Sequence, residues 1–153
     1  MKYKVAILIG SDTDKPLMEQ SMPYFNYFNI NAKIMTMSAH RNPDEVSIFS
    51  KNARKNGYSI IIGAAGMAAH LAGAIKSNTT LPVIGVPLPG GILDGLDSLF
   101  STLQMPKGVP VATVTVGKAG AINAAILCAE ILSLNDKLLT DKLQEFKDNG
   151  AKI

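Results

Sequence analysis

The stretch KVAILIGSDTDKP, residues 4–16, carries the pattern that decides the fold. It opens with a short, mainly apolar run that ends at Ile9, with the length and composition of a buried strand. Gly10 stops the run, a polar turn follows, and Pro16 is tolerated in a helix only in its first turn. A helix is therefore predicted over residues 14–28. The same order repeats along the chain. Residues 30–37 alternate apolar and polar side chains as a second strand, and residues 43–56 form a polar helix that ends at Gly57. An Ile-dense third strand spans 58–62, followed by a small-residue helix over 66–77. A fourth strand spans 81–86, then a Pro/Gly loop over 87–95 and a short helix to about Leu103. A fifth strand is predicted over 109–116, and helices over 118–134 and 136–148. Five strands alternating with helices imply an α/β fold whose parallel sheet is covered on both faces. With no linker, composition shift or repeat, residues 1–153 read as a single domain.

Composition narrows the function classes. The chain has 153 residues, 47% apolar and 18% charged, with a net charge of +3. That charge is too mild to argue for nucleic acid, but suits a small anionic ligand. One Cys excludes a disulfide framework or a Cys-cluster zinc site, and two His make a dedicated metal site a poor expectation. Aromatics are 6% with no Trp, which disfavours base-stacking platforms and flavin sandwiches. The N-terminal Lys2, Lys4 and the apolar run to Ile9 fall short of a signal peptide. Residues 57–75 lack Lys, Arg, Asp and Glu, but their glycines and His70 argue against a membrane span. The expected compartment is the cytoplasm.

Residues 119–134, AGAINAAILCAEILSL, lack the polar stripe of a surface helix. Either this is a central core helix, or its own sheet buries one side and a second subunit the other. The second is the expectation, since helices in a single layer normally keep one wet face.

The chemistry-bearing residues fall at strand ends, where doubly wound folds bind ligands. Gly10, Ser11, Asp12, Thr13 and Asp14 precede a helix, and hydroxyls with free amides there suit a phosphate. The spacing matches neither GxGxxG nor GxxxxGK[ST]. Two carboxylates would repel a phosphate, so at least one has another job, such as accepting from sugar hydroxyls; the alternative is a helix cap. Ser38, Ala39, His40 and Arg41 follow the second strand. Arg can clamp a phosphate with paired hydrogen bonds, and His can move a proton near neutral pH. Gly63, Ala64, Ala65, Gly66 and Ala68 follow the third strand, open enough for a flat ligand or, equally, for tight helix packing. His70 there is either functional or a packing residue. Gly117 to Gly120 form another small-residue helix start.

Five motifs in order, GSDTDKP (10–16), SAHRNPD (38–44), GAAGMAAHLAG (63–73), LDSLFSTLQMPKGVPV (96–111) and GKAGAINAA (117–125), resemble the PurE family of purine biosynthesis, in its class I mutase form. The resemblance implies a flavodoxin-like, three-layer αβα fold with a C-terminal helix. It implies a homo-octamer, a small-molecule nucleotide substrate, and no metal or organic cofactor. The implied reaction moves a carboxylate from the exocyclic nitrogen to ring carbon four of aminoimidazole ribonucleotide. Residue by residue, it implies that Ser11 and Asp14 bind phosphate and ribose. Ser38 and Arg41, beside Ala39, serve the phosphate side, and His40 transfers the proton. Ala65, Gly66 and Ala68 wall the imidazole, and His70 is a second pocket histidine. Thr13, Met67 and Ala72 depart from the usual pattern, Met67 standing where Gly is frequent. Arg41 fits class I; the class II carboxylases, which take free CO2, usually have Lys there. A phosphoacceptor receiver module would need an Asp ending the third strand, where this chain has Ile62-Gly63.

Overall fold

The computed structural model describes residues 2–153. Five strands, β1 (Lys4–Ile9), β2 (Asn31–Thr36), β3 (Ile60–Ala65), β4 (Val83–Pro87) and β5 (Ala112–Thr113), form one parallel sheet in the order β2-β1-β3-β4-β5. This is the flavodoxin-like order, whose reversal point lies between β1 and β3. The helices are α1 (Lys15–Met18), α2 (Met22–Tyr27), α3 (Pro43–Asn52), α4 (Leu71–Lys76), α5 (Leu96–Leu103), α6 (Lys118–Ser133) and α7 (Lys137–Asp148).

Alternation along β1 builds two cores. Val5, Ile7 and Ile9 face Met18, Phe25, Ala121, Ala125 and Phe146, all buried, so α1, α2, α6 and α7 cover that face. Ala6 and Leu8 point the other way, against Val46, Leu71, Ala72 and Ile75 of α3 and α4. Each fully buried aliphatic side chain contributes about 1.5–3 kcal/mol. α7 starts at Asp136, whose side chain accepts from the Leu139 N–H at 3.2 Å, and it buries Leu139, Leu143 and Phe146 at helical spacing.

Three expectations shift. The helix predicted over 14–28 breaks into α1, a 3-10 turn at Glu19–Ser21, and α2. Pro23 has no N–H for the Glu19 carbonyl and its ring crowds that position. The third strand runs on to Ala65, and α4 begins only at Leu71. Gly63 belongs to the strand because α4 presses on it: a Cβ there would lie 2.8 Å from Ala72 Cα. β5 shrinks to two paired residues, as suits an edge strand entered through Pro110. α6 packs against α1, α2 and α7. Ile122, Ile126, Leu127, Ile131 and Leu132 of α6 stay only partly buried within the single chain. Large exposed apolar residues include Leu134 at the end of α6, and Ile92, Leu93, Phe100 and Leu103 on α5 and the loop before it.

The segment 57–75 contains β3 and α4, and among the described residues no helix is long and apolar enough to cross a membrane. The small-residue start of α6 also has a packing cause. A Cβ on Gly120 would lie 1.8 Å from the Thr115 carbonyl oxygen. Gly120→Ala should therefore lower stability by about 1–3 kcal/mol through overpacking. Urea unfolding checks this, and an unchanged midpoint would refute it.

Candidate active site

A crevice of about 570 Å³ opens at the carboxyl ends of the strands, at the β1/β3 reversal point. That volume suits a small-molecule ligand. It is built from the loops after β1, β2, β3 and β4. The residues to which the resemblance assigns a role all line it: Ser11, Asp14, Ser38, Ala39, His40, Arg41, Ala65, Gly66, Ala68 and His70. Gly10, Thr13, Met67, Leu71, Pro89 and Gly90 complete the wall. Pro89 and Gly90 belong to the predicted Pro/Gly loop over 87–95, and Pro and Gly announce a turn without naming a ligand. The Gly117–Gly120 segment is not part of the crevice.

Ser11 caps the 3-10 turn Asp12–Asp14. Its Oγ accepts from the Thr13 N–H at 3.4 Å and from the Thr13 hydroxyl at 2.9 Å. Its own O–H is left free to donate into the crevice. The two aspartates divide their duties. Asp12 accepts a hydrogen bond from the Thr36 hydroxyl at the end of β2 and is absent from the crevice wall. Asp14 lines it. Burial holds the Asp14 carboxyl above the usual carboxylate range, while the Ser11 N–H and the charge of Arg41 pull the other way. Desolvation is the larger of these influences.

Ser38 is buried, and its Oγ accepts the Arg41 backbone N–H at 3.2 Å, tightening the turn that presents His40 and Arg41. The exposed Arg41 guanidinium donates through Nη2 to the Gly10 carbonyl at 2.6 Å. It thus spans the loops after β1 and β2, with its remaining donors available. His40 Nε2 and His70 Nδ1 lie 2.7 Å apart, with the rings edge to face at 4.8 Å between centroids. One imidazole donates and the other accepts, so this contact requires one ring to be unprotonated at that nitrogen. The pairing settles the ambiguity over His70: it is exposed at the start of α4 and is not a core packing residue.

The floor is made of small residues. A Cβ on Gly66 would stand 3.4 Å from the Leu88 carbonyl oxygen, so the loops after β3 and β4 pack in van der Waals contact here. Cys128 is fully buried in α6, and burial pushes its thiol far up, leaving it inert as a nucleophile. Among the described residues, no group of three or more His, Cys, Asp or Glu stands close enough to hold a metal ion.

Fold and crevice together define a doubly wound α/β protein with an anion-ready, histidine-bearing pocket. Residues 4–152 match the family model described as AIR carboxylase. The chain is 44% identical over 150 residues to an N5-carboxyaminoimidazole ribonucleotide mutase of Haemophilus influenzae, covering 98% of this chain and 92% of that one. It is 45% identical over 144 residues to the mutase of the same name from Escherichia coli, covering 94% and 85%. The crystal structure of Treponema denticola PurE superposes with a TM-score of 0.87 at 30% identity, covering 97% and 91%. The chain belongs to the AIR carboxylase family, the PurE family whose motifs it carries.

Proposed function

We propose that the chain is an N5-carboxyaminoimidazole ribonucleotide mutase, an isomerase of purine biosynthesis. The observation that carries this reading is one crevice that joins a free Ser11 hydroxyl and the Arg41 guanidinium to a short His40–His70 contact over a floor of Ala and Gly. The relatives above lend it their activity.

In this reading Ser11, Ser38 and Arg41 hold the phosphate, and Asp14 accepts from the ribose hydroxyls. Ala39, Ala65, Gly66 and Ala68 lie against the imidazole, and His70 orients it. The phosphate and ribose contacts position the base. The charged form of His40 gives its proton to the carbamate nitrogen, and the C–N bond breaks to leave the amine and CO2. Ring carbon four, made electron-rich by that amine, attacks CO2. The proton on that carbon then passes to the now neutral His40, which restores the starting state. Acid and base are one side chain, so protons balance over the cycle. CO2 carries no charge for the protein to grip, and an apolar floor retains it better than a wet one.

The family model's description favours one alternative, a carboxylase that adds free CO2 to the same aminoimidazole ribonucleotide. Two parallel assays separate the readings. The mutase converts the carbamate substrate without added bicarbonate and is slow with the amine plus bicarbonate. The opposite pattern would establish the carboxylase.

The same reading includes a homo-octamer. The exposed Ile92, Leu93, Phe100 and Leu103 supply apolar surface of the kind that subunit contacts bury. Light scattering at micromolar concentration should give eight times the chain mass; the mass of a single chain would refute it.

A further inference from the structure

Beside the crevice lies a second hollow of about 590 Å³, lined by Met67, Ala68, Gly91, Ile92, Asp97 and Ser101. The two cavities share only Met67 and Ala68. Ala68 contributes a single methyl group, so Met67 is the one large side chain that borders both.

Met67 also holds an unusual backbone. Its φ is +56°, the left-handed region that glycine enters freely and other L residues enter at a cost. A glycine at position 67 would meet that need more cheaply. The Ser101 hydroxyl of α5, which donates to the Asp97 carbonyl at 2.5 Å, lies 3.4 Å from the Met67 carbonyl on the side away from the crevice. Its side chain is 67% exposed, so burial in the core does not repay the strain. A strained residue kept at a cavity wall, with no core to fill, points to a task for the side chain itself.

We propose that Met67 is the retaining wall of the crevice, closing it toward the neighbouring hollow so that freed CO2 is recaptured rather than lost. This rests on the carboxylate-transfer reading above. CO2 is small, neutral and apolar, and hydrogen bonds hold it poorly. Its retention depends on how well the chamber excludes water and blocks escape while ring carbon four attacks. A long, flexible thioether fills an irregular gap between two loops better than a rigid side chain would. Replaced by Gly or Ala, the wall opens and the two hollows run together.

The test uses the carbamate substrate labelled with ¹³C at its carboxylate, in unlabelled bicarbonate buffer, with the label read in the 4-carboxylate product. The wild-type protein should keep most of the label. M67A and M67G should each lose at least about threefold more of it, with the decarboxylated amine accumulating. M67L, which restores bulk, should keep label like the wild type. M67G should melt above M67A, because glycine tolerates the left-handed backbone that alanine resists; this shows that the loop keeps its shape in both. If M67A cannot be purified, M67G carries the test. Retention in M67A and M67G equal to wild type would overturn the proposal while leaving the transfer reading intact. Wild-type product without retained label would overturn the transfer reading, and the role of Met67 with it.

Discussion

His40→Asn should bind the nucleotide about as tightly as the parent protein and turn it over roughly 10²- to 10⁴-fold more slowly, the usual worth of a positioned acid–base group. The side chain sits at the end of β2 on the ligand side, exposed in the crevice, with its Nε2 2.7 Å from His70 Nδ1. Asparagine keeps polarity and approximate size but cannot exchange a proton near pH 7. The phosphate-side groups, Ser11, Ser38 and Arg41, are untouched by the change. Isothermal titration with the nucleotide product and steady-state rates measure the two halves of the prediction separately. His70→Asn should cost less, since its proposed task is to orient. Near-normal turnover in His40→Asn would reassign the proton carrier, as would loss of all turnover in His70→Asn with binding intact.

Arg41→Ala should weaken nucleotide binding by about 2–3 kcal/mol, roughly 30- to 150-fold in Kd, as losing a charge-assisted pair with a phosphate does. The guanidinium already reaches the Gly10 carbonyl from the far loop, so it arrives at the phosphate without a large rearrangement. Arg41→Lys should recover only part of the affinity, because a lysine ammonium cannot hold the Gly10 carbonyl and a phosphate in one planar fork. The same titration reads the effect, and an unchanged Kd in Arg41→Ala would remove Arg41 from the site.

Much of the fold was legible because alternation and punctuation agree. Gly10 and Pro43 fall at or beside element ends, whereas α3 stops at Asn52, well before Gly57, and the unbroken apolar run of β1 matches its burial on both faces. The misplaced boundary between β3 and α4 has a clear cause. Gly63, Ala64 and Ala65 have little strand preference of their own, and they extend β3 only because α4 demands closeness at Gly63. That demand is tertiary, and a local pattern does not contain it. The helix 119–134 shows the same limit: α1, α2 and α7 cover part of its apolar surface, and helix neighbours within a layer are not written in the helix itself.

The crevice was legible because strand-end loops of doubly wound folds converge by topology. Spacing alone left Asp12 and Asp14 equivalent. Only the structure divides them, by giving Asp12 to the Thr36 hydroxyl and leaving Asp14 in the crevice. The His40–His70 contact was equally hidden, since thirty residues separate the two in sequence and nothing local to either points at the other.

The central claim is that this crevice moves a carboxylate within one nucleotide rather than adding CO2 from solution. Product formation from the purified carbamate substrate, in buffer stripped of CO2 and bicarbonate, tests it most directly. The account predicts conversion to the 4-carboxy nucleotide at a rate that added bicarbonate does not raise, and its loss in His40→Asn. Product that appears only when bicarbonate is supplied would contradict it.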